Sequence, residues 1–263
     1  MKKLAKMPVL FISHGSPMMA VERSKTSVFL EKLGKTLSIP KAIVVFSAHL
    51  DSADEIIITS GTKPQTIHDF YGFPPSLYQV DYPAPGDPVL AEAIAAKFNQ
   101  VGLASTLNDI QGWDHGVWIP LRLMFPEANV PVVQISISSR VGAAKNFEYG
   151  NIISELREQG ILIVGSGGIS HNLAELVNPI PTRNRTEMVG EFTRWVHDKL
   201  LNRDIDSLLN YEQEAPFARF NHPTQEHFLP LLAALGSSDF QDVKRLHQDI
   251  EMDVLAMDAY LFS

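Results

Sequence analysis

The sequence predicts an α/β fold. One domain would span residues 1–263, with a central, mostly parallel or mixed sheet covered by helices and its site at the carboxyl edge of the strands. Three observations point there. The apolar runs are short, β-branched and continuous rather than alternating, as in strands buried on both faces. Segments with apolar residues at helical spacing lie between those runs. Several of the runs stop at a histidine, as FISHGSP does at residues 11–17.

Taken in order, strands are predicted over residues 8–13, 42–47, 55–60, 130–138 and 161–165, and a last strand over 254–262. A helix over 26–37 carries Val28, Leu30, Leu33 and Leu37 on one stripe. The next, over 87–101, opens with Asp87-Pro88, a start signal. One over 143–159 stops at Gly160, a C-cap residue. Another covers 186–201, and a last one covers 224–235, with Thr224 as N-cap and His227 in the first turn. Residues 61–87 hold five of the seventeen prolines together with Phe70, Tyr71, Phe73, Tyr78 and Tyr82. So aromatic a loop inside a compact domain reads as a lid or pocket wall. Residues 177–185 read as a connector.

Composition narrows the function classes. Lys and Arg number 22 against 30 Asp and Glu, a net charge of −8, so no basic excess exists to neutralise nucleic-acid phosphates. There is no cysteine, which excludes disulfides, thiolate metal sites and cysteine nucleophiles. The start MKKLAKMPVLFISHG is basic and then apolar, but its apolar run is too short for a signal peptide. No stretch approaches the roughly 20 apolar residues of a membrane span. The expectation is a cytoplasmic protein without membrane or nucleic-acid partners, and a monomer.

His14, His49 and His171 each follow a predicted core strand. In a parallel sheet they would meet at one edge, where such folds bind ligands. Imidazoles grouped in this way suit iron, zinc, copper or nickel. A single histidine at a strand end is more often a hydrogen-bonded turn residue, so it is the set that carries weight. His227 at a helix N-terminus would be held neutral and able to bind metal, with Glu226 beside it. His115 lies in GWDHGVW, where Gly112 and Gly116 permit close backbone approach. His222 precedes a proline and reads as a turn former; His68, His197 and His247 read as surface residues. GSGG at residues 165–168 lacks the nucleophile elbow of a serine hydrolase and the Lys of a phosphate loop.

The set FISHGSP, FSAHLDS, GWDHGVWIPL, GSGGISHNL and HPTQEHFLPLLAALG resembles the class III extradiol ring-cleaving dioxygenases, from about residue 8 to the C-terminal Tyr260-Leu261-Phe262. It is most similar to their single-chain branch. The resemblance implies a non-haem Fe(II) site, in which Zn(II) is a common replacement. It implies His14 and His49 as ligands and His227 as the third, with Glu226 as the competing choice because the wider family uses a glutamate. It implies His171 as the acid/base residue, itself able to ligate when substrate is absent, and His115 as a second catalytic histidine near the substrate hydroxyl or oxygen. The implied reaction is opening of a catechol, DOPA-like in this branch, by O2. Two other functions use the same residues: a zinc hydrolase with a metal-bound water, and a non-catalytic binding protein on the same fold.

Overall fold

The computed structural model describes residues 6–182 and 184–263; residues 1–5 of the basic start and Arg183 of the connector lie outside them. The strands and helices, in chain order, are β1 Val9–Ser13, α1 Lys25–Thr36, β2 Ala42–Asp51, β3 Ile56–Thr59, α2 Pro88–Gln100, β4 Ser105–Asn108 and α3 His115–Met124. Then follow β5 Val132–Ile137, α4 Gly142–Ile153, β6 Ile161–Gly167, α5 Ala174–Val177, α6 Arg185–Leu201, α7 Ile205–Leu209, α8 Tyr211–Glu214, α9 Ala218–Asn221 and α10 Leu229–Gly236. The chain closes with β7 Val243–His247, β8 Ile250–Glu251, β9 Leu255–Ala256 and β10 Ala259–Phe262.

Eight strands form one sheet in the order β4-β3-β5-β2-β6-β1-β10-β7. Its centre, β5-β2-β6-β1, is wholly parallel. Antiparallel joins, β3 to β5 on one side and β1 to β10 to β7 on the other, make the whole sheet mixed. The central strands are buried along nearly their whole length, because helices cover both faces. On one face Val44, Phe46, Ile135 and Ile163 pack with residues of α2, α4, α6 and α10. On the other Leu10, Ile12, Val45 and Val164 pack with residues of α1 and α3. Among the described residues no helix is long and apolar enough to cross a membrane.

The helix starts follow local chemistry. Asp87 accepts from Leu90 N ahead of Pro88, and Ser24 and Ser27 form a reciprocal capping box. Gly160, at φ 86°, ends the 3-10 turn Ser154–Gln159 that extends α4, so the helix expected over 143–159 is two pieces.

Several expectations need correction. The helix expected from residue 224 begins only at Leu229. The Thr224 hydroxyl donates to Glu226 Oε1 at 2.9 Å instead of capping, and Phe228 N donates to Gln225 O. His227 therefore sits in the turn before α10, not in its first turn. The strand through His49 runs on to Asp51, past a register shift after Ser47. The strand expected over 254–262 is broken into β9 and β10. His68, His197 and His247 are half-buried rather than surface residues. His68 Nε2 lies 3.0 Å from Val80 O, His197 Nδ1 lies 3.4 Å from Tyr260 Oη, and His247 stacks on Phe29 at 4.7 Å. Helix α3, begun by Asp114 as N-cap and carrying Pro120 inside it, was hidden by Gly116 and that proline.

Candidate active site

The parallel order β2-β6-β1 brings His14, His49 and His171 to one sheet edge, as expected. His14 follows β1, and its N–H donates to Gly167 O of β6 at 3.0 Å. His227 is delivered from far along the chain by β6. A Cβ on Gly165 would stand 2.1 Å from Pro230 O, and one on Gly167 2.2 Å from His227 O. Gly168 N donates to His227 O at 2.8 Å. The glycines of GSGG thus let the turn before α10 lie directly on the strand end.

The ring centroids of His14, His49 and His227 form an almost equilateral triangle of 4.9, 5.0 and 5.3 Å sides. One nitrogen from each lies within 4.8 Å of the others. His171 stacks on His227 at 3.4 Å with 7° between the planes. His115, the first residue of α3, lies 3.9 Å from His49 and 5.3 Å from His14. All five histidines singled out for chemistry are therefore gathered in one place.

Hydrogen bonds fix two of these rings. Ser166 Oγ donates to Gly116 O, so it accepts from His14 Nδ1–H at 3.1 Å, leaving a lone pair on His14 Nε2. Glu226 Oε1 accepts from His227 Nδ1–H at 3.0 Å. His227 Nε2 is then a bare lone pair, buried and with no hydrogen-bond partner in the protein. His49 Nε2 faces His14 Nε2 at 3.0 Å. An unpartnered His227 Nε2 beside the facing Nε2 atoms of His14 and His49 fits a divalent cation, and outer acceptors on the far nitrogens are the usual way of orienting metal-binding imidazoles.

The rings of His14, His49, His171 and His227 are held neutral near pH 7. Burial first, then the neighbouring histidines, hold His14 and His227 well below their ordinary range. Burial pushes His49 down to about 3 and His171 down to about 4. Burial works to raise Asp69, but its bond to His115 and the two nearby rings outweigh that and hold it below its usual value.

Several contributors were missed in the sequence. Asp69, in the aromatic loop, places Oδ1 2.9 Å from both the backbone N and Nδ1 of His115, and Oδ2 3.4 Å from His49 Nδ1. Asp114 accepts from Ser47 Oγ at 2.7 Å and from Gln134. Burial, and then Asp69, push its carboxyl up to about 6. Nothing in their spacing marks Ser166 or Asp69, since each acts through a partner distant in sequence. His222, expected only to shape a turn, is buried and donates from Nε2 to Ile169 O at 2.8 Å.

The aromatic loop closes one side. Phe70 lies edge-on to His115 at 5.7 Å and to Phe73 at 5.3 Å, with Tyr78 at 5.4 Å and Trp118 at 6.4 Å.

Residues 8–261 match the model of the family described as the catalytic LigB subunit of aromatic ring-opening dioxygenase. The chain belongs to the LigB family. Within it, the chain is similar to the 4,5-DOPA dioxygenase extradiol of Beta vulgaris, 36% identical over 96% of this chain and 95% of the relative. It is also similar to the protein of the same description in Escherichia coli (strain K12), 38% identical over 96% and 93%. The crystal structure of an uncharacterized Escherichia coli K12 protein matches this chain with a TM-score of 0.78 at 34% identity, covering 98% of this chain and 100% of that one.

Proposed function

We propose that this extradiol ring-cleaving dioxygenase opens a DOPA-like catechol, with Fe(II) held by His14, His49 and His227 and with His171 and His115 as its catalytic residues. The observation that carries the proposal is the convergence of one nitrogen from each of three buried or half-buried imidazoles, with His227 Nε2 left without a partner. Ser166 takes Nδ1 of His14 and Glu226 takes Nδ1 of His227, so both rings direct Nε2 to one point. Glu226 is thereby an orienting carboxylate, which favours His227 over Glu226 as third ligand. Zn(II) fits the same nitrogens and would replace Fe(II) in air. Three protein ligands would leave positions open on the ion, as in the two-histidine, one-carboxylate Fe(II) oxygenases, with a third imidazole here in place of the carboxylate. An iron bound there supplies adjacent sites for the diol and O2 and a path for electrons between them.

The chain's own residues do the rest. Binding a diol requires removal of a hydroxyl proton. His171, neutral because burial lowers it to about 4, is an acceptor at pH 7 and returns the proton as the ring opens. Its stacking on His227 fixes its plane beside the metal ligands. His115 commits Nδ1 to Asp69, which leaves Nε2 for the substrate hydroxyl or for oxygen. Phe70, Phe73 and Tyr78, backed by the buried Trp118, offer an aromatic wall for the ring.

The zinc hydrolase and the non-catalytic binding protein have no support from the family or from its members described above. We read the LigB chain as one catalytic domain acting as a cytoplasmic monomer on a small catechol and O2. A net charge of −8 supports the monomer in that reading. The test is anaerobic reconstitution with Fe(II), then addition of air-saturated L-DOPA, caffeate or protocatechuate while oxygen is followed. Oxygen uptake with a yellow ring-opened product, fastest on L-DOPA, is expected. No uptake with any catechol, despite one bound metal per chain, would refute the proposal.

A further inference from the structure

The pair His14–His49 has two alternative states. Their Nε2 atoms are 3.0 Å apart, a hydrogen-bond distance. His14 is fixed with its proton on Nδ1, because the Ser166 hydroxyl hydrogen is committed to Gly116 O. Its Nε2 therefore only accepts. If neutral His49 carries its proton on Nε2, it donates to His14 and the site is closed to a cation. If the proton is on Nδ1, two lone pairs face each other and repel until a cation lies between them. The choice is set at His49 Nδ1, on the far side of the ring.

What faces that nitrogen is Asp69. Its Oδ2 lies 3.4 Å from His49 Nδ1, an electrostatic contact without hydrogen-bond geometry, while its Oδ1 accepts from the backbone N–H of His115 and lies 2.9 Å from that ring's Nδ1. A carboxylate can only accept from His115, and its negative charge favours an N–H over a lone pair on the His49 nitrogen that faces it. We propose that Asp69 is the positioning residue that keeps the protons of both His49 and His115 on Nδ1, holding the His14–His49 pair in its metal-ready state and joining it to the substrate wall. It touches neither metal nor substrate in this role. The joining follows from its place in the chain: Phe70, which begins the aromatic wall, is the next residue, and α3 starts at the His115 N–H that Asp69 caps. The inference rests on the metal site proposed above.

Asp69→Asn separates this role from a merely structural one. The amide keeps the size, and its single oxygen can still hold His115. Its NH2 then meets His49 Nδ1, which must present a lone pair, so the proton moves to Nε2 and the ring donates to His14. The experiment is nitrogen-15 NMR of the histidine rings in the metal-free full-length protein, with Zn(II) affinity measured by chelator competition, in the absence of catechol. Wild type is expected to show His49 and His115 protonated on Nδ1. Asp69→Asn is expected to move the His49 proton to Nε2 and to weaken Zn(II) binding about 10–100-fold. Asp69→Glu, which retains two acceptor oxygens, should keep the Nδ1 proton and bind Zn(II) more tightly than Asp69→Asn. A wild-type His49 protonated on Nε2 overturns the proposal without any variant. So does Asp69→Asn with the tautomer unmoved or Zn(II) affinity within twofold of wild type; either leaves the metal site itself standing. Failure of wild type to bind Zn(II) at all overturns the metal site and this inference together.

Discussion

Ser166→Ala removes one oxygen and should damage both the fold and the metal site. Ser166 lies in β6 between Ile12 of β1 and Ser47 of β2, fully buried. Its hydroxyl serves two groups. It accepts from His14 Nδ1–H, and it donates to the carbonyl of Gly116. That carbonyl has no helical donor four residues on, because the residue there is Pro120, which lacks an N–H. Alanine orphans both groups in a dry interior, at about 1–3 kcal/mol each. Even the lower sum, about 2 kcal/mol, should lower Tm by roughly 4–8 °C for a chain of this size. His14 also loses the partner that fixes its proton on Nδ1, so Zn(II) affinity should fall about 10–100-fold, or ~1.4–2.7 kcal/mol. Thermal unfolding of the metal-free protein and chelator competition with Zn(II) measure the two effects separately. A variant with Tm within 2 °C of wild type and unchanged Zn(II) affinity would refute the account of how His14 is held.

Other outcomes follow from the same geometry. His14→Ala, His49→Ala and His227→Ala should each abolish stoichiometric metal and ring cleavage together, whereas His171→Ala should keep the metal and lose turnover; metal analysis beside an oxygen electrode checks both. Glu226→Ala should retain metal with affinity reduced about 10–100-fold, against complete loss if Glu226 were itself the ligand. Asp258 is fully buried with Arg245 3.6 Å away, and burial pushes its carboxyl up to about 7. The folded state therefore holds this proton longer than the unfolded chain, and the stability it lends is complete below about pH 4 and lost as pH rises through about 7. Asp258→Asn should flatten that slope and gain on wild type at pH 8 by up to roughly 4 kcal/mol, read from urea unfolding at both ends of the range. Gly165→Ala should cost more than about 3 kcal/mol, since its methyl would stand 2.1 Å from Pro230 O; a Tm equal to wild type would show that α10 can move off the strand.

Much of the fold was legible because buried parallel strands write themselves as short apolar runs. β1, β3, β5 and β6 fall within a residue or two of the expected spans. What was hidden lay where tertiary partners decide. The strand β4 is short and its middle residues exposed, so it carries no apolar run. Helix α3 contains Gly116 and Pro120, both poor helix formers, and stands because Asp114 caps its start and Ser166 accommodates the proline gap. The turn that replaces the first part of the expected last helix reflects Thr224 spending its hydroxyl on Glu226. The five histidines that gather at the strand edge were readable as candidates because each ends or interrupts a recognisable motif. Their outer partners were not, since Ser166 and Asp69 reach His14 and His49 across 152 and 20 residues of chain, and no local pattern reports such a pairing.

The most direct measurement is a single turnover of the Fe(II)-loaded protein with L-DOPA under oxygen-18 gas, followed by mass spectrometry of the product. The account requires one O2 consumed per catechol and both labelled atoms in the ring-opened product. A product carrying no label, or substrate hydrolysed without oxygen loss, would contradict it.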